Sequence, residues 1–257
     1  MSLSEEYKKQ FSWRSWSTVL EQLPPIAGRF LLDLGCGVGD QTAQLAKRGA
    51  RVIGIDANED LLGSARARAI SNAEFRMLNL RNLGRVGVAV DGIWCSFTAA
   101  YFPDFAPVLA SWASLLKPGG WIALTEVDDL FGHEPIPSET RSLLAAYAQD
   151  AVLANRYDFH MGSKLRHHVE LAGFEVSSTH LLEDKELSFV GPADSAVLEA
   201  WRSRLDRMTF LKDFCGFKFE RVRQDLLGTL IHPHHWSVAT VHCCIGIKKS
   251  DSCTDVG

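Results

Sequence analysis

The stretch LLDLGCGVGD, residues 31–40, runs an apolar segment into three glycines at alternate positions, Gly35, Gly37 and Gly39, with Asp33 and Asp40 on either side. Glycine tolerates left-handed backbone and lets a ligand come close to main-chain N–H groups, so this pattern reads as a cradle between a strand and a helix. Its most familiar occupant is a dinucleotide pyrophosphate, recognised by G-x-G-x-x-G. Here the first two glycines fit, but the sixth position is Asp40. Two carboxylates in a loop without Lys or Arg would repel a pyrophosphate.

On both sides of the cradle, short apolar strands alternate with helix-like segments. The strands are FLLDL (30–34), RVIGID (51–56), AEFRML (73–78), DGIWCSF (91–97) and WIALTE (121–126). Asn58 has the character of an N-cap, with Leu61, Leu62 and Ala65 on one helical face. The Pro118-Gly119-Gly120 run reads as the turn that ends a helix. Such alternation predicts a parallel sheet wound on both sides. After Glu126 helices are expected over 138–154, 162–173, 193–208 and 218–228, with strands over 174–182 and 237–247. The helices from 193 to 228 interrupt two strands that would otherwise form a terminal hairpin.

The expected architecture is α/β: a doubly wound, mostly parallel seven-stranded, Rossmann-like sheet with an inserted helical cap. Its parts are an N-terminal helical lid (1–29), a core (30–190), the cap (191–236), a final core strand (237–248) and a tail (249–257). The 257 residues, 46% of them hydrophobic, are enough for a sizeable core. A net charge of −4 gives no footing for nucleic acid. No segment reads as a signal peptide or a membrane span. The six cysteines show no CxxC pair, which fits free thiols in a cytoplasmic protein, and Cys243 and Cys244 should point to opposite faces of a strand.

The acidic cradle suits a ligand with positive charge and no phosphate. S-adenosylmethionine, with a sulfonium and an α-ammonium, has the right sign. Asp56 ends the second strand, where a carboxylate can accept both hydroxyls of a ribose. That feature fits NAD equally well, so an NAD(P)-dependent oxidoreductase stands as the alternative enzyme. A cofactor-binding protein without catalysis is the alternative outside enzymes.

The segments LLDLGCGVGD, VIGIDAN, AEFRMLNLRNL, VDGIWCSFTAAYF and LLKPGGWIAL stand in one order across residues 30–127. In this the chain resembles the class I S-adenosylmethionine-dependent methyltransferases, most closely the small-molecule branch typified by quinone biosynthesis. The resemblance implies that Asp33 and the backbone of Gly35, Cys36, Gly37 and Gly39 face the methionine part, and that Asp56 holds the ribose. It implies that Asn79, where relatives usually carry Asp, accepts from the adenine amino group, with Ala57 and Leu80 on either side of the ring. Ser96 would offer its carbonyl to the α-ammonium. Relatives often carry histidine after this strand; Ala100 and Tyr101 stand here, so no base carries over.

Methyl transfer from a sulfonium needs alignment and exclusion of water more than acid–base help. If the acceptor is a phenol or an acid, a base would assist. Candidates are Tyr101, Glu126, Asp128, His133 and His160. Aromatic Phe97, Tyr101, Phe102, Phe131 and Tyr157 would wall a pocket for a small apolar or aromatic acceptor. In FSWRSW (11–16), Trp13 and Trp16 share a helical face if the segment is one helix, and Arg14 is a candidate for the methionine carboxylate. HPHHW (232–236) reads as a loop rather than a metal site, with His234 or His235 reaching the acceptor pocket if the cap folds over it. The basic run containing Arg202, Arg204 and Arg207 reads as a solvated helix face.

Overall fold

The computed structural model describes residues 3–249, so the expected tail and Cys253 lie outside the described residues. Helices α1 (Leu3–Ser12) and α2 (Trp16–Leu20) precede β1 (Phe30–Leu34). Then come α3 (Asp40–Lys47), β2 (Arg51–Asp56), α4 (Glu59–Arg66), β3 (Ala73–Met77), β4 (Val90–Ser96), α5 (Phe105–Ser114) and β5 (Leu116–Asp128). The second half comprises β6 (His133–Glu134), α6 (Ser138–Leu153), α7 (Met161–Leu171), β7 (Phe174–Leu182), α8 (Ser195–Arg207), α9 (Thr209–Cys215), α10 (Phe219–Leu230), β8 (Trp236–Ser237) and β9 (Thr240–Lys248).

Seven strands form one sheet in the order β3-β2-β1-β4-β5-β9-β7. β1 to β5 pair in parallel, and β9 runs antiparallel to both β5 and β7. This is the expected α/β architecture, and the strands at 174–182 and 240–248 are indeed antiparallel neighbours. Its central strands are buried on both faces, which is why they read as continuous apolar runs rather than alternating ones. Period-2 geometry sorts their side chains into two cores. Leu31, Val52, Trp94, Ala123 and Cys243 lie on one face. Leu32, Ile53, Ile93, Ile122 and Cys244 lie on the other. The adjacent cysteines thus take opposite faces.

Local chemistry fixes the helix that follows β2. Asn58 Oδ1 accepts from the N–H groups of Asp60 and Leu61 at 3.0 and 3.2 Å. Loss of such a cap costs about 1 kcal/mol. Leu61, Leu62 and Ala65 are buried beneath it.

Four local features differ from expectation. Pro118-Gly119-Gly120 lies inside β5, because α5 already ends at Ser114 and Leu116 pairs with Val90. Trp13 and Trp16 do not share a helix: the chain breaks between α1 and α2, where Arg14 bridges to Asp184. The last strand starts at Thr240. Val238 and Ala239 both donate to the Gly132 carbonyl, which diverts residues 236–237 into a separate two-stranded pairing with β6. An additional helix, α9, fills the gap between α8 and α10.

Helices α8 to α10 are tied to the rest of the chain by polar contacts. Trp201 Nε1 donates to the Glu186 carbonyl at 3.0 Å, and Thr229 Oγ1 donates to the Pro135 carbonyl at 2.8 Å. Arg207 forms two hydrogen bonds, of 2.7 and 2.6 Å, to the carboxylate of Glu6 on α1.

Candidate functional site

A cavity of about 1030 Å³ opens where β1, β2 and β4 end. Parallel strands leave their carboxyl ends facing one side, so the loops that follow them converge there. The glycine loop forms one wall. Gly35 and Gly37 hold φ at +74° and +52°, in the left-handed region. A Cβ on Gly35 would lie 1.9 Å from Thr98 Oγ1, so the loop after β1 sits directly against the loop after β4. Asp56 braces the cradle: its carboxylate accepts from Gly37 N at 2.8 Å and from Asn58 N at 2.9 Å.

Of the residues expected at the cofactor, Arg14, Gly35, Cys36, Gly37, Asp56, Ala57, Asn79, Leu80 and Ser96 line this cavity. Asp33 and Gly39 do not. Asp33 is buried behind the loop and accepts a 2.5 Å hydrogen bond from Thr42 Oγ1. Burial pushes its carboxyl up to about 7. Asp40 does line the cavity, but it is paired at 2.6 Å with Arg68, which reaches in from beyond α4. The sequence shows no cation in the loop; the fold supplies one. Contrary to the expected pair of bare carboxylates, neither of the loop's own acids presents an unpaired charge.

Other expected acceptors already hold local partners. Asn79 Oδ1 takes the Arg81 N–H at 2.9 Å, and the Ser96 carbonyl takes the Thr98 hydroxyl at 3.0 Å. Each oxygen keeps a second lone pair. Ser96 Oγ is buried with no partner. Arg14 is held at 2.7 Å by Asp184 and at 3.2 Å by Glu186, and its guanidinium lies 4.4 Å from the centre of the Phe97 ring. Phe97 itself has φ of +52°, a strained conformation for a bulky residue, immediately after β4.

The opposite wall is aromatic. Phe97, Tyr101, Phe102 and Tyr157 line it as expected, and Tyr101 meets Tyr157 edge-on at 4.9 Å. Phe131 instead packs in the core between Tyr147 and Phe159. Sequence reasoning overlooked Tyr7 and Phe11 of α1, together with Leu130 and Leu187. Residues 1–29 are expected to form a helical lid with Trp13, Trp16 and Arg14 as its contacts; the structure brings Tyr7 and Phe11 of α1 to the cavity. Arg204, expected on a solvated face, also lines the cavity.

Of the five acid–base candidates, only Tyr101 reaches the cavity wall. Its ring is more than half exposed, and like an ordinary phenol it stays protonated near neutrality. Glu126 is buried beneath the wall, accepts from the N–H groups of Ala100 and Val127, and is pushed up by burial to about 7. Asp128 caps the start of α7 through Ser163. Burial opposes its ionisation, but hydrogen bonds from His160 and Ser163 pull it down to about 2. His160 sits outside with that pair. His133 is buried against His235 at 3.0 Å, and burial lowers it to about 3. His234 and His235 do not line the cavity, since His235 is turned toward His133.

The comparisons with known proteins agree with this geometry. Residues 31–120 match the family described as "Methyltransferase domain". The chain is 28% identical over 159 residues to a ubiquinone biosynthesis O-methyltransferase of Acinetobacter baylyi, a match over 59% of this chain and 65% of that relative, just under two thirds of its length. A provisionally assigned methyltransferase of Bacillus halodurans superposes with a TM-score of 0.62 at 18% identity, over 92% of this chain and 99% of the other. The cyclase SpnF superposes with a TM-score of 0.60 at 17% identity, over 91% of this chain and 79% of its own. At such identities these two structures speak for the fold. Residues 31–120 of this chain thus match a methyltransferase domain, and the chain is similar, over less than two thirds of their length, to ubiquinone biosynthesis O-methyltransferases.

Proposed function

We propose that the chain transfers a methyl group from S-adenosylmethionine to a small-molecule acceptor by direct displacement. The observation that carries this reading is the cavity itself: a left-handed glycine cradle and Asp56 on one side, an aromatic wall on the other, in one continuous space. The residues present fit the group. Gly35 and Gly37 leave no Cβ in the cradle, Asp56 keeps lone pairs for ribose hydroxyls, and the Ser96 carbonyl, which accepts from Thr98, keeps a second lone pair for an ammonium. S-adenosylmethionine supplies an activated methyl, so the protein is left to align and to exclude water. Ala57 and Leu80 would flank the adenine, and Asn79 would accept from its amino group.

Under the same reading α1 and α2 serve as a lid, and residues 191–236 as a cap that closes the acceptor side. What supports it is that Tyr7, Phe11 and Arg204 share one cavity with the cradle. Among the described residues no helix is long and apolar enough to cross a membrane. A second reading, cofactor binding without methyl transfer, is favoured by the position of the candidates: no histidine or carboxylate among them reaches the wall. The test is incubation with methyl-labelled S-adenosylmethionine and a panel of small aromatic and apolar acceptors. Label transferred to any of them is expected. Cofactor binding with no transfer across the panel would favour the second reading.

A further inference from the structure

The helices inserted between β7 and β9 leave and rejoin the rest of the chain at one point, and histidine holds it. Gly191 N donates to the His235 carbonyl at 2.8 Å, and His235 Nδ1 donates to the Gly191 carbonyl at 2.9 Å. Beside them Val190 bridges to Trp236. The two ends of the insertion are thereby tied to each other. β6 holds them through its two-residue pairing with β8 and through His133, whose Nδ1 lies 3.0 Å from His235 Nε2. Both rings are buried, and His235 is the one buried residue of 231–236. We infer that His133 and His235 form an acid-sensitive clasp: it is closed while both rings are neutral, it fixes the base of the inserted helices, and taking up protons opens it.

One carbonyl sets every hydrogen in the pair. The Gly191 oxygen only accepts, so His235 carries its hydrogen on Nδ1. Its Nε2 is then bare and accepts, so His133 also carries its hydrogen on Nδ1. His133 Nε2 is left bare, buried and without a partner. An added proton has no good place in this arrangement. On His133 Nε2 it makes a buried cation with no acceptor, beside the rings of Trp201 and Phe189. On His235 Nε2 it forces His133 to move its own hydrogen to that same orphaned nitrogen. A second proton sets two N–H donors against each other across the 3.0 Å contact. The charged or titratable groups that act on His133 are His235 and Arg204 of α8, and His232 acts on His235. Each of these disfavours a further cation. The Gly191 carbonyl favours one on His235, but the neutral ring already uses it. Glu134, the next residue along β6, is committed to Arg141.

Release of His235 to water ends the conflict. No other buried side chain in 231–236 holds its loop, and the contact between its ring and Phe189, 4.3 Å between centroids, goes with it. Burial lowers both rings in the closed form, His133 to about 3. A released ring titrates at about 6.5. Between those values the open form holds protons that the closed form refuses, so opening becomes easier as pH falls from 6.5 toward 3. α8 begins at Ser195 and α10 ends at Leu230, on either side of the clasp, and α8 carries Arg204 to the cavity wall. Opening therefore loosens the base of these helices and, through α8, one wall of the cavity. The pairing of β1 to β5 involves neither histidine. None of this depends on which ligand the cavity takes.

The test is amide hydrogen exchange on the full chain at pH 7.5 and pH 5, each corrected for intrinsic exchange. Residues 188–194 and 231–239 are expected to lose at least about tenfold in protection at pH 5, while β1 to β5 change by less than about twofold. His235→Gln supplies the control. Its amide keeps a donor for the Gly191 carbonyl and an acceptor for His133 but takes up no proton. Protection at pH 7.5 should be kept and the acid loss should shrink. Equal loss at the base and in the sheet overturns the inference, as does no loss at the base. An unchanged acid loss in His235→Gln overturns it too. Should that variant lose protection at pH 7.5 or fail to fold, nitrogen-15 NMR of the imidazoles in the unsubstituted chain decides. Both rings in the neutral Nδ1–H form at pH 7.5 are expected; the other tautomer or a cation at either position overturns the clasp.

Discussion

Asp56 has two duties that compete for one carboxylate. It braces Gly37 and Asn58 in the structure, and the cofactor reading asks it to take two ribose hydroxyls as well. Charge-assisted hydrogen bonds contribute about 1.5–3 kcal/mol each. Asp56→Ala should therefore lower S-adenosylhomocysteine affinity at least about tenfold, measured by calorimetry in a protein whose melting transition survives. Unchanged affinity would reduce Asp56 to a brace for the loop. Glu126 makes a separate prediction. Its carboxyl is raised to about 7 from an ordinary 4.5 by burial, so the folded state holds a proton that the unfolded chain releases. Its contribution is complete below pH 4.5 and is lost as pH rises through 7. Glu126→Gln should flatten that part of the stability profile, gaining up to about 3 kcal/mol on the native protein between pH 4.5 and 8. Parallel profiles for the two proteins would show that Glu126 is ionised in the fold. At this scale the sequence was legible for which residues border the cavity, as at Gly35, Asp56 and Asn79. It was not legible at Asp33, Asp40 or Arg204. Whether a charge faces a ligand depends on partners such as Thr42, Arg68 and Glu186, which the fold brings in from elsewhere.

At the scale of elements, α1 lies along the open side of the cavity. Tyr7 lies close enough that a Cβ on Gly37 would sit 3.3 Å from its ring. Ser4 meets Ser64 of α4 at 3.0 Å, and Glu6 and Gln10 reach to Arg207 and Glu186. A ligand in the cradle would be covered by this helix and would hold it in place. Amide hydrogen exchange in residues 4–12 should slow on addition of S-adenosylhomocysteine, while α7 on the sheet stays unchanged. Equal exchange with and without ligand would leave α1 as packing only. The strand–helix alternation of residues 30–126 was readable because short apolar runs alternate with amphipathic segments, although the Pro118-Gly119-Gly120 signal fell inside β5 rather than at a helix end. The break at 13–15, the departure of residues 236–237 from the last strand and the short helix α9 were not readable. Each is decided by a partner distant in sequence: Asp184, Gly132, or the helices on either side of 209–215.

Across the whole molecule, two layers of chemistry meet at the carboxyl edge of one sheet. The sheet core supplies the glycine loop, Asp56 and the aromatic rings of Phe97, Tyr101, Phe102 and Tyr157, and α1 and α8 add Tyr7, Phe11 and Arg204 to the same cavity. The buried pair His133 and His235 sits between β6 and the loop before β8, away from the cavity. Burial lowers His133 to about 3 from an ordinary 6.5, with His235 and Arg204 adding to the effect. The unfolded chain then binds the proton that the folded one refuses, so stability falls as pH drops from 6.5 toward 3. The loss approaches about 1.4 kcal/mol per pH unit in that window, and His133→Leu should reduce it. An unaltered acid limb in that variant would show that other groups govern it.

The central claim is that the cradle takes S-adenosylmethionine rather than a dinucleotide. With the loop's own acids hidden or paired, charge alone no longer decides between them, and binding must. Calorimetric titration of the full chain with S-adenosylhomocysteine, and separately with NAD and NADP, tests this most directly. The account predicts one equivalent of S-adenosylhomocysteine bound and no measurable heat from either dinucleotide. Saturable binding of NAD or NADP with none of S-adenosylhomocysteine would contradict it.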